Sequence, residues 1–136
     1  MKIDKSIIFF ILFVVIVSYF TPILQERIIE LWNNQELKEL KSTTREINKE
    51  IKSFYNYNES YTGKYNLEEL KETGGVCWHY SQYAYDRAIE EDMYAKQVTI
   101  LVNNSKWTNH KFTVISNKAG YCIVDQINYV CFEITD

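Results

Sequence analysis

One proline, four glycines and three cysteines in 136 residues set the first exclusions. So little Pro and Gly rules out collagen-like and low-complexity chains. No block of Lys or Arg occurs, and 15 basic residues against 18 acidic ones give a net charge of −3. Phosphate backbones need a basic face, so nucleic acid is excluded as the main partner. Cys77, His79, His110, Cys122 and Cys131 lack any Cys-x-x-Cys or His-x₃₋₅-His spacing, so zinc is not expected; nor is an organic cofactor. Three cysteines cannot all close into disulfides, which leaves one thiol over. What is abundant is apolar and aromatic side chain, at 46% and 15%, and that excludes a disordered chain. The length suits one modest domain.

Ile7 to Leu24 (IIFFILFVVIVSYFTPIL) carries no charge, and with Ser6 and Gln25 it approaches the roughly 20 residues that cross a bilayer as a helix. A cleaved signal is the other reading of such a run. The run exceeds the ~7–15 residues of a signal core, and no small-x-small site follows it. Tyr19 and Phe20 stand instead where an interfacial aromatic belt would lie, and Pro22 falls where a helix can stop or kink. Residues 1–25 therefore read as an uncleaved transmembrane anchor with the bilayer as partner. Lys2 and Lys5 precede the span, so the positive-inside tendency leaves the remainder of the chain extracytoplasmic.

Residues 26–56 read as a helical linker or stalk. Leu24 to Trp32 is helical, and Asn33-Asn34 is expected to interrupt it. Leu37, Leu40, Thr44, Ile47, Ile51 and Phe54 then recur at three- and four-residue steps. That stripe predicts an amphipathic helix packed on its own domain. A short coiled-coil stalk, making a homodimer through residues 37–54, is the alternative. Residues 57–136 form the globular domain. It opens with a loop (Asn56 to Tyr65) that contains the acceptor triplet Asn58-Glu59-Ser60; Asn103-Asn104-Ser105 is a second such triplet. Asn66 caps a short helix with Glu69 at its third position, and Gly74 stops it. Another helix runs from Val76-Cys77 to Glu91, with Tyr80, Ala84 and Ala88 on the face of Cys77. Four β-type runs follow: Ala95 to Val102, His110 to Ser116, Tyr121 to Asp125 and Asn128 to Ile134. Helices first and an antiparallel meander after give an α+β domain.

Chemistry gathers at three residues. Cys77 follows Gly74-Gly75 and opens a helix, where unpaired N–H groups and the positive helix end favour a thiolate. His79 is a poor base for it, since two helical positions turn a side chain about 200° away. His110 is the only other histidine. A hairpin turning at Lys118-Ala119 pairs Phe112 with Asp125. His110 then lies on the same face, diagonal to that carboxylate at about 7–8 Å between backbones. A thiol, an imidazole and a carboxylate in these places follow the nucleophile, base and orienter logic of acyl transfer. The oxyanion that forms needs donors: the N–H of Cys77 is one, and Tyr61, Tyr65 or Asn66 would supply the second.

GGVCWHYSQYAYDRA, NHKFTVI and GYCIVDQ together resemble the transglutaminase-like branch of the papain-like cysteine enzymes. The resemblance covers about residues 66 to 131. It implies a Cys-bearing helix packed on an antiparallel sheet, with Cys77 as nucleophile, His110 as general base and acid, and Asp125 holding the imidazole. The expected activity is thiol acyl transfer on an amide of a protein or peptide: hydrolysis of a peptide or isopeptide bond, or transfer to an amine. Phe112 stands where these enzymes more often have Trp, and Gln126 where Pro or Thr is common. The other class of function is a membrane-tethered interaction module of the same fold without turnover, binding through Tyr55, Tyr57, Tyr61 and Tyr65.

The leftover thiol fits this scheme. A tight turn at Gln126-Ile127 sets Cys122 directly opposite Cys131, both pointing away from the face of Asp125. In an oxidising compartment they can pair and leave Cys77 free; in a reducing one they pack as small hydrophobes.

Overall fold

The computed structural model describes residues 5–103 and 107–134, and the triplet that begins at Asn103 lies partly outside them. The chain divides into two compact units, Met1–Gln35 and Glu36–Asp136. One helix, α1 (Lys5–Phe54), supplies the described residues of the first unit and opens the second.

In the first unit the helix runs unbroken through Pro22, with the Thr21 hydroxyl donating back to the Val17 carbonyl. It is long and apolar enough to span a membrane or to act as a signal sequence. From Leu12 to Trp32 its large apolar side chains are exposed. The expected break at Asn33-Asn34 does not occur. Asn lowers helix propensity by well under about 1 kcal/mol, unlike Pro, and the helix continues past the pair.

The second unit contains α2 (Leu67–Thr73), α3 (Cys77–Glu90) and the strands β1 (Tyr94–Asn103), β2 (Trp107–Ser116), β3 (Gly120–Asp125) and β4 (Asn128–Glu133). The strands form one antiparallel sheet in the order β1-β2-β3-β4. Both hairpin registers match the sequence reading. Thr113 pairs with Val124, which sets Phe112 against Asp125, and Cys122 pairs with Cys131.

Alternation along the strands decides which face is covered. Thr113, Ile115, Cys122 and Val124 share one face and are buried. The helices lie there. Leu40, Ile47 and Ile51 of α1, Leu70 of α2 and Tyr80, Ala84 and Ala88 of α3 complete the core. Each large aliphatic side chain so buried contributes roughly 2–3 kcal/mol of transfer free energy. The α1 stripe is thus taken up inside its own unit, with Leu37 7%, Leu40 0%, Thr44 0%, Ile47 1% and Ile51 0% exposed. The side chains that a coiled-coil seam on residues 37–54 would use are, in this chain, packed in its own core.

Two side chains fix α1 along the sheet. Asn117 Nδ2, in the β2–β3 turn, donates to the Glu36 carbonyl (2.7 Å), and Asn48 Nδ2 donates to the Gln126 carbonyl in the β3–β4 turn (3.3 Å). Twelve helical steps span about 18 Å, close to the length of the six-residue strand between those turns. Residues 36–54, read from sequence as linker, are therefore part of the globular unit. Across the core, Ser81 Oγ donates to Thr113 Oγ1 (2.8 Å), which donates to the Ser81 carbonyl (2.7 Å). Two small polar residues that satisfy each other let α3 and β2 approach closely.

Candidate active site

Direction along the layers decides which residues meet. α3 ends near Glu90, Met93 N–H returns to the Ala88 carbonyl, and β1 starts at Tyr94 opposite Ser116. The carboxyl end of α3 therefore lies at the Ser116 end of the sheet. Ser81 sits over Thr113, so Cys77, one turn earlier, lies toward the end that holds His110 and Asp125. Here β2 outruns its neighbour: the described pairing with β3 stops at Thr113–Val124, while β2 continues back to Trp107 beside β1. His110 thus lies on β2 beyond the described β2–β3 pairing.

His110 Nε2 and Asp125 Oδ1 are 2.8 Å apart, with side chains 26% and 44% exposed. A carboxylate only accepts, so Nε2 carries the proton and Nδ1 keeps the lone pair of a base. Cys77 is a free, half-buried thiol. No hydrogen bond joins it to His110 in this structure. Two of the three expected residues are thus in contact; the third stands at the same end of the sheet without a bond to them. By alternation from Thr113 and Val124, the side chains of His110 and Asp125 leave the face on which α3 packs.

Local geometry explains how Cys77 is presented. Gly74 has φ +77, and a Cβ there would come within 2.1 Å of the Asn56 carbonyl oxygen. At Gly75 a Cβ would press on Leu70 at 2.6 Å. Glycine at 74 lets the segment 56–58 lie this close, where Gly75 N–H donates to Asn56 O and Asn58 N–H to Gly75 O, both at 3.0 Å. No side chain caps the first N–H groups of α3. The N–H of Cys77 accordingly sits at a helix start beside its own sulfur, as an oxyanion donor requires.

His79 is structural. Its Nδ1 accepts the Val76 N–H (3.1 Å), so Nε2 is the protonated nitrogen and donates to the Gly63 carbonyl (3.0 Å). Both nitrogens are taken and the ring is fully buried between Trp78 and Tyr61.

In the tract from Tyr61 to Asn66, Tyr61 and Asn66 are engaged elsewhere. Asn66 Oδ1 caps α2 by accepting from Glu68 and Glu69 N–H. Tyr61 Oη is bound to the Lys64 carbonyl and to Glu69, and the Glu69 hydrogen bond chiefly raises its pKa. Tyr65 is pushed up to about 12 by burial, then by Asp86 and Glu90, carboxylates farther along α3 than Cys77. The phenols whose pKa Cys77 raises are Tyr55 and Tyr57, which sequence reasoning did not place there. Tyr57 bridges Gly75 through the backbone and is 46% exposed. Burial raises its pKa first and Cys77 second. Tyr55 is half-buried, its ring 4.8 Å from that of Tyr80. Burial lifts its pKa, followed by Tyr80, Tyr57, Asp125 and Cys77. One phenol is therefore within electrostatic reach of both the thiol and the carboxylate. Of the four tyrosines in the interaction-module reading, Tyr55, Tyr61 and Tyr65 are half-buried and Tyr57 is exposed.

Comparison with known proteins finds no family model, no curated protein and no solved structure that matches this chain.

Proposed function

We propose that this chain is a membrane-anchored, transglutaminase-like cysteine enzyme that carries out acyl transfer on amides of proteins or peptides. The observation that carries the reading is the His110–Asp125 pair, 2.8 Å long, at the end of the sheet toward which the Cys77 start of α3 points. Cys77 sulfur attacks the amide carbonyl while its proton passes to His110 Nδ1. The tetrahedral oxyanion takes a hydrogen bond from the Cys77 N–H. Collapse breaks the C–N bond, and His110 returns the proton to the leaving amine. Water or a second amine, deprotonated by the same nitrogen, then resolves the thioester and frees the thiol. Asp125 keeps the imidazole in the required tautomer throughout. In this reading Ile7 to Leu24 holds the chain in the bilayer with the domain extracytoplasmic, a compartment that also suits the Cys122–Cys131 disulfide.

The missing bond between Cys77 and His110 favours a second reading, an interaction module with the same fold and no turnover. Iodoacetamide separates the two. In the enzyme, Cys77 alkylates rapidly at pH 7, and His110→Ala slows it by at least tenfold, on the order of a contribution of one acid–base group. Alkylation that is slow in the wild-type chain and indifferent to His110 leaves only the module.

A further inference from the structure

Asp125 is the last residue of β3, so its carboxylate is only as well placed as the turn that follows it. That turn is held by Gln126 from three directions. Its backbone has φ +53, a region that L side chains rarely adopt. Its carbonyl accepts from Asn48 Nδ2 at 3.3 Å, and its side-chain Oε1 accepts from Tyr55 Oη at 2.5 Å. Tyr55 is itself fixed, because its ring lies against Tyr80, whose hydroxyl both accepts from Asn56 N–H (2.9 Å) and donates to Asn56 O (2.7 Å). The chain just past the end of α1 is thereby pinned to the residue next to Asp125.

We propose that Tyr55, through its hydrogen bond to Gln126, is a positioning residue for Asp125. The inference rests on the acyl-transfer reading above and adds a residue to it. A carboxylate that is 44% exposed can swing to water unless its backbone is held. The Tyr55–Gln126 bond removes that freedom and keeps Oδ1 on His110 Nε2, which leaves Nδ1 as the unprotonated nitrogen.

The test uses the full-length chain in detergent and follows Cys77 alkylation by iodoacetamide at pH 7, with thermal melting alongside. Tyr55→Phe keeps the ring and removes the donor. It is expected to slow alkylation about tenfold, within the ~100-fold that an ångström of misplacement can cost, while the melting midpoint stays within about 2 °C. Gln126→Met, which keeps length without an acceptor, gives the same loss. In Tyr55→Phe/Asp125→Asn the rate is no lower than in Asp125→Asn alone, since Tyr55 acts through Asp125. Losses that multiply instead, or an unchanged rate in Tyr55→Phe while His110→Ala is slow, overturn the proposal and leave the enzyme reading standing. An unchanged rate in His110→Ala overturns both.

Discussion

Glu50 shows how one side chain ties two helices together. Its carboxylate accepts from Arg87 Nε (3.0 Å) and Nη2 (3.3 Å) and from Tyr83 Oη (2.6 Å). The Arg87 bond holds the Glu50 pKa below the usual carboxylate range, against a burial penalty that raises it. A depressed folded pKa means that the linked stability is present above the unfolded value of about 4.3 and is lost as pH falls through the folded one. The side chain is 40% exposed, so solvent screening keeps the effect below about 1 kcal/mol. Glu50→Gln should therefore lose less melting temperature than wild type between pH 6 and pH 3. Equal losses in parallel thermal melts would show that the pair contributes nothing.

At the scale of elements, α2 rests on its cap. With seven residues it is too short to be stable alone, and Asn66 satisfies two of its first N–H groups at 3.0 and 3.2 Å. Asn66→Ala should cost about 1 kcal/mol. Hydrogen exchange should show this as a roughly fivefold drop in protection at Leu70 and Gly74, whose N–H groups donate to the Asn66 and Leu70 carbonyls along the helix. The cap, both hairpin registers and the face shared by Tyr80, Ala84 and Ala88 are legible in the sequence because each depends on residues only a few positions apart. Asn66 meets Glu69, and Cys122 faces Cys131 across a two-residue turn. Tyr55 and Gln126 are 71 positions apart and Asn48 and Gln126 are 78 apart, and no local pattern announces such meetings. The Ser81–Thr113 pair was hidden for a related reason, since two polar residues at core positions look like surface until each is seen to satisfy the other. Asn33-Asn34 misled in the opposite sense: a weak local preference against helix is overridden by the helix on both sides.

At the scale of the molecule, Cys122 and Cys131 are joined and Cys77 is not. Closing a loop with a sequence separation of 9 stabilises by about 2–3 kcal/mol in the chain-entropy account. Reduction should lower the melting midpoint of the globular unit by roughly 8–20 °C. Mass spectrometry of the unreduced protein, alkylated under denaturing conditions, should find one linked peptide containing Cys122 and Cys131 and a single alkylated cysteine, Cys77. A linkage that includes Cys77 would remove the nucleophile and the proposed chemistry with it.

Tyr55 follows α1, Cys77 opens α3, His110 lies in β2, and Asp125 with Gln126 closes β3. No two of these segments are neighbours in the chain, apart from the β2–β3 hairpin. Contacts of such long range form late, because the entropy of closing the intervening loops must be met first. During refolding, collapse and helix formation should therefore run ahead of the gain in Cys77 reactivity. The thiol thus acts as a clock for the final step, in which the sheet and α1 close on one another.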